Sequence, residues 1–353
     1  MTSARARQVT VVRIASERSF GQERYQDATL LALRRRAQSL AIRELVFTSL
    51  RAPLVADRRL PFGALSRMPL VGARALGAAL YPAGLVHRLD LRLPPARFEV
   101  VTVLDAAPFR FDDEGGFPRY LAGSTVRSVG AICCSAFAAA EAADVFGITR
   151  TWIAPAGVAE VFRQARPAGA EVLFHRLGRV PERYVLHAGS ASTRKNLPAL
   201  AAAWRAVADV DAGVELVLVG PPDGRKRVLF DGVPRTHLVT DVATPELASL
   251  MAGAAVVVVP SIYEGFGMPV IEAMAAGSPV VAAAATSLPE VVGDAGLLVE
   301  PSADGLAAGL LLVLGDDAMA AGLRDKGRAR AAAFTWDRTA DAHLAAYKEI
   351  LAS

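Results

Sequence analysis

Short apolar runs alternate along this chain with longer segments of helical periodicity. In the first half, runs rich in Val, Ile and Leu predict strands at Val9–Ala15, Glu44–Thr48, Leu85–Leu89, Val100–Leu104, Ala131–Cys134 and Thr151–Ile153. Helices are predicted at Arg24–Leu40, where leucines recur at helical spacing, and at Ala136–Phe146, which Gly147 ends. Because strands that alternate with helices form βαβ units, we expect a parallel sheet.

The second half repeats this alternation after a break. The stretch Gln164–Arg183 holds prolines, glycines and several charges, and is interpreted as a linker. Strands are then predicted at Tyr184–His187, Glu215–Val219, His237–Val239, Val256–Pro260, Pro279–Ala283 and Leu297–Val299. Helices are predicted at Leu197–Ala208, Pro245–Ala252, Met268–Ala276, Ala303–Leu314, Met319–Ala333 and Asp337–Leu351.

The length of 353 residues favours two domains, since a single core seldom grows past roughly 250–300 residues. We predict an α/β protein with two tandem doubly wound, Rossmann-like parallel-sheet domains. Their expected bounds are residues 1–165 and 184–333, with a linker at 166–183 and a C-terminal helix at 334–353 that packs back on the first domain. Ligands of such sheets bind outside the carboxyl ends of strands, and a cleft between the domains is the expected site.

Composition narrows the class of protein. Hydrophobic residues make up 53% and the net charge is +4, which fits phosphate-bearing substrates, an anionic membrane surface or nucleic acid. No Lys/Arg block resembles a nucleic-acid arm, so nucleic acid is not an expected partner. The apolar stretch Leu65–Leu85 is interrupted by Arg67 and Arg74, and is either a half-buried helix or a peripheral membrane contact. With no signal-peptide core, a cytoplasmic location is expected.

The segment from Pro260 to Gly277 is the most informative for chemistry. A buried strand ends at Pro260, a loop with Gly265 and Gly267 follows, and a helix begins near Met268. The start of a helix carries free N–H groups and about half a positive charge. The glycines let a bulky group approach the backbone. The sequence therefore predicts a place where phosphate binds.

Charged residues surround this predicted phosphate site. Glu264 and Glu272 flank it, and carboxylates repel phosphate but accept hydrogen bonds from hydroxyl groups. A ligand with phosphate in the middle and hydroxyls on both sides is a nucleoside-diphosphate sugar, with ribose at Glu272 and the transferred sugar at Glu264. Arg194 and Lys195 follow a predicted strand and supply cations. Such cations stabilise the charge that grows on a leaving diphosphate.

The C-terminal half resembles the family 4 retaining glycosyltransferases of the GT-B fold, especially bacterial mannosyltransferase-like members. The resemblance covers roughly residues 184–350. A pair of glutamates at this spacing is a weak signal alone, but several segments in the family's order are a strong one. They are Arg194-Lys195-Asn196, Glu264 with Glu272, Ala276–Val281, Ser287–Gly296 and Phe334-Thr335-Trp336.

This resemblance implies roles. Glu264, Arg194 and Lys195 would be catalytic, with the two cations on the diphosphate. The implied donor-binding residues are Glu272, Gly265, Phe266 and Gly267, with the backbone near Val239 and Val242 holding the base. The family retains the anomeric configuration and acts in cell-envelope polysaccharide biosynthesis. No metal and no tightly bound cofactor are expected; the nucleoside-diphosphate sugar is the co-substrate.

The N-terminal half resembles the family's acceptor-binding domain more loosely. Gly21 and Arg24 fit its Gly-x-x-Arg-Tyr turn, and His87 resembles the end of a family strand, so these three residues are placed on the acceptor side. Leu104 stands where the family has the histidine of His-Asp, which leaves Asp105 as the candidate polar group near the acceptor and as a further candidate catalytic residue.

Three functions stay open at this point. The first is a glycosyltransferase that moves a hexose, with mannose as a candidate, to a glycan or lipid-linked acceptor. The second is a sugar-nucleotide epimerase on the same fold. The third is a non-catalytic protein that has kept its donor pocket. A pyridoxal-phosphate phosphorylase is disfavoured, because Lys195, Lys226 and Lys326 are the only lysines between residues 180 and 330.

Overall fold

The computed structural model describes residues 8–15, 21–38, 40–167, 173, 175, 178, 179 and 181–353. The chain divides into two compact units: Met1–Gly157 with Trp336–Ser353, and Val158–Thr335. Each unit contains a parallel sheet flanked by helices, so the predicted fold class is confirmed. Much of the predicted linker at 166–183 lies outside the described residues, as do residues 1–7.

The first unit is built on a seven-stranded sheet. Its strands are β1 (Gln8–Ile14), β2 (Ala41–Ser49), β3 (Arg58–Leu60), β4 (Leu85–Arg88), β5 (Glu99–Val103), β6 (Gly130–Cys133) and β7 (Thr151–Ile153). They lie in the order β3-β2-β1-β4-β5-β6-β7, and every pair is parallel. The order changes direction between β1 and β4, so a topological switch point lies there.

Helices cover both faces of this sheet. They are α1 (Gly21–Arg36), α2 (Phe62–Leu65), α3 (Leu70–Leu80), α4 (Ala107–Arg110), α5 (Leu121–Ser124), α6 (Ala136–Phe146) and the C-terminal helix (Trp336–Ala352). Leu33 of α1 and Leu344 of the C-terminal helix pack in one core with Val9 and Val11 of β1. The apolar period of 3.6 residues explains why each helix buries a single stripe.

The second unit is built on a six-stranded sheet. Its strands are β8 (Arg183–Ala188), β9 (Val214–Val219), β10 (Thr236–Val239), β11 (Val256–Val259), β12 (Val280–Ala283) and β13 (Leu297–Val299). The order is β10-β9-β8-β11-β12-β13, again all parallel. Here the switch point lies between β8 and β11. The loop after β8, residues 189–196, contains Arg194 and Lys195 and is called the cation loop. The loop after β11, residues 260–267, contains the predicted phosphate site and is called the phosphate loop.

Helices also flank the sheet of the second unit. They are α7 (Glu160–Arg163), α8 (Leu197–Val210), α9 (Gly224–Leu229), α10 (Thr244–Gly253), α11 (Met268–Ala276), α12 (Leu288–Val292), α13 (Ala303–Gly315) and α14 (Asp317–Ala332). Trp204 of α8 is fully buried and donates its indole N–H to the Pro234 carbonyl at 2.9 Å. Within the described residues, no single helix is long and apolar enough to cross a membrane, and one bent pair passes such a test only jointly.

Candidate functional site

The loops that follow β8 and β11 lie against each other at the switch point of the second unit. The backbone N–H of Ile262 donates to the carbonyl of Arg194 at 2.9 Å. The Asn196 amide nitrogen donates to the Pro260 carbonyl at 3.1 Å and to the Pro301 carbonyl at 2.9 Å. Asn196 has a φ of 54°, a conformation that asparagine adopts more readily than most residues. These contacts fix the cation loop against the phosphate loop.

Glu264 joins the two predicted cations. Its Oε1 accepts from Lys195 Nζ at 2.6 Å, and its Oε2 accepts from Arg194 Nη1 at 3.0 Å. Glu264 is 6% exposed and Lys195 is 8% exposed. The sequence places both cations and Glu264 in one site, and the structure brings the three side chains into direct contact.

The electrostatics keep Glu264 ionised. Burial alone would raise the pKa of its carboxyl, but the charges of Lys195 and Arg194 outweigh burial and lower the pKa from 4.5 to about 2. A carboxylate between two cations leaves one net positive charge in this cluster. An anionic ligand is therefore favoured beside it.

The backbone of Glu264 is fixed by the turn that precedes α12. Its N–H donates to Thr286 Oγ1 at 2.9 Å, and its carbonyl accepts from Ser287 Oγ at 2.8 Å. Thr286 has a φ of 50°, an uncommon conformation for a β-branched residue. Sequence reasoning did not single out Thr286 or Ser287, although their segment belongs to the family resemblance.

The start of α11 lies directly after Glu264 in the phosphate loop. Gly267 is the residue that precedes the helix, with a φ of 97°, and a Cβ there would stand 2.7 Å from Leu288 Cδ2. Only glycine fits both the conformation and the space. Gly265 is also buried, and Glu272 lies in α11 with 2% exposure. The helix start, with its free N–H groups, is thus held beside the cation cluster.

Three other residues, Phe266, Val239 and Val242, were also predicted to bind the donor. Phe266 is 7% exposed and its ring meets Phe334 at 5.7 Å between centroids, edge to face. Val239 is buried at the end of β10, and Val242 is half-buried in the loop before α10. The contacts predicted for these residues stay predictions.

Two buried basic side chains lie beside the cation loop and were not predicted as site residues. Lys226 of α9 is 3% exposed and donates to the carbonyls of Gly189 and Val219. His187 of β8 is 1% exposed; its Nδ1 lies 3.2 Å from the Val258 carbonyl, and its Nε2 has no partner among the described residues. Burial lowers the pKa of His187 to about 3, so its ring is neutral.

The predicted acceptor-side residues lie in the first unit. Asp105 follows β5, is half-buried, and accepts from the backbone N–H of Ala107 at 3.0 Å. Gly21 is the exposed first residue of α1, and Arg24 is half-buried one turn later. His87 is fully buried: its Nδ1 lies 2.5 Å from Tyr347 Oη and its Nε2 2.7 Å from Thr102 Oγ1.

Both ring nitrogens of His87 are therefore engaged, and neither is available to an acceptor in this arrangement. The acceptor-side roles stay predictions. Within the part of the chain that the structure describes, no group of three His, Cys, Asp or Glu residues is placed to hold a metal ion. Metal-independent catalysis likewise stays a prediction.

Comparison with known proteins fits this geometry. Residues 182–316 match the family described as Glycosyl transferases group 1. The O-antigen chain mannosyltransferase B of Escherichia coli is 36% identical over 173 residues, which are 47% of this chain and 45% of that protein. A D-inositol 3-phosphate glycosyltransferase of Mycobacterium avium is 36% identical over 156 residues, 39% of this chain and 36% of that protein. The matches thus span about half or less of these relatives.

Solved structures match over nearly the whole chain. Sucrose-phosphate synthase from Thermosynechococcus elongatus has a TM-score of 0.76 at 24% identity, covering 98% of this chain and 99% of that one. Anabaena Alr3699/HepE in complex with UDP and glucose has a TM-score of 0.70 at 18% identity, covering 97% and 99%. The fold is that of the GT-B glycosyltransferases. Residues 182–316 form a domain of the glycosyl transferases group 1 family, as the motif resemblance predicts.

Proposed function

We propose that this protein is a retaining glycosyltransferase that moves a hexose, with mannose as the first candidate, from a nucleoside-diphosphate sugar to a glycan or lipid-linked acceptor. The observation that carries the proposal is the buried cluster of Glu264, Lys195 and Arg194 at the switch point between β8 and β11. The similarity to an O-antigen chain mannosyltransferase supports mannose as the sugar and cell-envelope polysaccharide synthesis as the setting.

The cluster is suited to a diphosphate. An arginine side chain carries five N–H donors and a lysine ammonium group three, and both groups suit phosphate oxygens. The adjacent start of α11 adds backbone N–H groups and a positive dipole end. As the bond to the sugar breaks, negative charge grows on the diphosphate, and these fixed positive groups stabilise that charge by several kcal/mol, about 3 for a single strong donor.

Glu264 and Glu272 would accept hydrogen bonds from the hydroxyl groups on either side of the diphosphate. Glu264 stays ionised, with a pKa of about 2, so it accepts hydrogen bonds at any physiological pH. A carboxylate has about four lone-pair sites, and the two cations leave some of them for hydroxyls of the transferred sugar. Glu272 lies along α11, where it would meet the ribose. No metal and no tightly bound cofactor enter this scheme.

The proposal also includes an acceptor site and a peripheral membrane contact. Asp105, Gly21, Arg24 and His87 remain the acceptor-side candidates. Peripheral contact with an anionic membrane is supported by the exposed start of α3, where Val71 is 79% exposed.

A panel of nucleotide sugars in a thermal-shift assay identifies the donor, because a ligand that binds the native state raises the melting temperature. Release of nucleoside diphosphate from that donor then measures turnover, and the anomeric configuration of the product by NMR tests retention. Glu264→Ala should abolish turnover with little change in nucleotide affinity. Arg194→Ala and Lys195→Ala should each weaken binding of the free nucleoside diphosphate.

The exposed Arg205 of α8 provides a matched control, since Arg205→Ala removes the same charge away from the site. Unchanged calorimetric affinity in both cation variants would refute the phosphate assignment. Binding without diphosphate release would favour the non-catalytic protein, and a changed nucleotide sugar with no acceptor consumed would favour the epimerase.

A further inference from the structure

Lys226 is a buried lysine to which the proposed chemistry assigns no role. It lies on α9, a helix whose other basic residues, Arg225 and Arg227, are exposed, whereas Lys226 is 3% exposed. Burying an ammonium group is costly unless it is well bonded. The buried ammonium group of Lys226 therefore needs hydrogen-bond acceptors that replace water.

The partners of Lys226 are backbone carbonyls at the ends of two neighbouring strands. Lys226 Nζ donates to the Gly189 carbonyl at 2.5 Å and to the Val219 carbonyl at 3.3 Å. Gly189 follows β8 and opens the cation loop that leads to Arg194 and Lys195. One ammonium group thus ties the first residue of this loop to the last residue of β9.

The backbone is closely packed around this contact. A Cβ on Gly220 would stand 2.1 Å from the Gly189 carbonyl oxygen and 2.5 Å from Lys226 Nζ. A Cβ on Gly189 would stand 3.2 Å from His187 Nε2 and 3.8 Å from Lys195 Cδ. The two glycines let the loop backbone approach the lysine closely. The Gly189 N–H also donates to the Val219 carbonyl at 3.0 Å, so the lysine reinforces a backbone contact between the loop and β9.

We propose that Lys226 is a positioning residue of the donor site, whose ammonium group fixes the cation loop and adds positive charge behind it, so that a diphosphate binds best when Lys226 is protonated. This inference rests on the proposed donor site and deepens it.

The charges that face Lys226 come from three elements. Asp223, which precedes α9, favours its charged form, and Lys195 of the cation loop disfavours it. His187 of β8 also interacts with Lys226 but is neutral, so it does not titrate between pH 7 and pH 9. Burial is the largest influence, and with these charges it lowers the pKa of Lys226 from 10.5 to about 8.

The sign of the resulting pH dependence follows from linkage. A bound anion favours the ammonium form, so the pKa of Lys226 is higher in the complex than in the free protein. Affinity is then greatest below pH 8 and falls as the pH rises, since binding above that pH must take up a proton. For a free-protein pKa of 8 the dissociation constant should rise about tenfold between pH 7 and pH 9.

Calorimetric titration with uridine diphosphate and guanosine diphosphate at pH 7, 8 and 9 tests this proposal in the full-length protein. The wild type should lose affinity about tenfold across the range. Lys226→Arg keeps its charge at pH 9 and should have a flat profile. Lys226→Met keeps an unbranched side chain, one atom shorter and without the charge, and should bind about tenfold or more weakly at pH 7, also with a flat profile.

Arg227→Met is the matched control, because it removes one charge from the exposed side of the same helix and should reproduce the wild-type profile. Circular dichroism confirms that each variant is folded. A flat wild-type profile, or an unchanged slope in Lys226→Met, would overturn the role of Lys226 while leaving the donor site intact. If the wild type binds neither diphosphate at pH 7, the proposed function fails as well, so the two failures are distinguishable.

Discussion

Replacing Glu264 by glutamine tests whether its charge holds the cation cluster together. The amide keeps the shape of the side chain but removes the negative charge that bonds the buried Lys195 and the half-buried Arg194. The lowering of the Glu264 pKa from 4.5 to about 2 corresponds to about 3 kcal/mol of stabilisation, at 1.36 kcal/mol per unit. Breaking buried ion pairs by removing one partner typically costs about 3–5 kcal/mol. We therefore expect Glu264→Gln to lose about 3 kcal/mol of unfolding free energy at pH 7.

The pH dependence gives this prediction its sign. Because the folded-state pKa is depressed, the stabilisation is complete above pH 4.5 and is lost as the pH falls toward 2. Urea unfolding of wild type and variant at pH 7 and pH 3 measures the difference, which should shrink at the lower pH.

Glu300→Gln, at an exposed glutamate of the same unit, is the control and should change stability by less than about 0.5 kcal/mol. Equal stability of Glu264→Gln and wild type at pH 7 would refute the electrostatic reasoning. A loss of stability that is the same at both pH values would show that packing, and not charge, accounts for it.

Three further predictions concern the scaffold. Gly267→Ala, at a φ of 97° and with Leu288 Cδ2 2.7 Å from the new Cβ, should cost about 2 kcal/mol or more in urea unfolding and weaken nucleoside-diphosphate affinity. Asn196→Ala loses one hydrogen bond between the site loops and one to the loop after β13, and should weaken that affinity about tenfold by calorimetry, with near-wild-type far-UV circular dichroism. Tyr347→Phe removes the hydroxyl bonded to His87 and should cost about 1–3 kcal/mol in chemical unfolding, while calorimetry should show unchanged nucleotide affinity.

The alternation of apolar runs predicts most of the fold, because a strand buried on both faces must be apolar throughout. It fails where an element is short or charged. The edge strand β3 contains Arg58 and Arg59 within its three residues, so neither its composition nor its length distinguishes it from a loop. The order of the strands is likewise invisible in the pattern, since it depends on which crossovers pack, and not on any local run.

Part of the site could be predicted because Glu264, the glycines and the helix start are adjacent in sequence. Arg194, Lys195 and Glu264 were expected in one place, and the structure adds that the carboxylate bonds directly to both cations. Lys226 was missed because Gly224-Arg225-Lys226-Arg227 looks like a solvated basic turn. Only the fold shows that Lys226 is buried and bonded to the carbonyls of Gly189 and Val219, at the ends of β8 and β9.

The C-terminal helix makes the first unit discontinuous in sequence. Ala340, Leu344, Ala346, Tyr347 and Ile350 complete a core whose other buried members come from the first 157 residues, whereas Val158–Thr335 is a single uninterrupted segment. During synthesis, that middle segment is translated before the last piece of the first unit. A nascent chain should therefore expose the apolar flank of β1 and α1 until these final turns emerge, and this is the interval in which a chaperone would be needed.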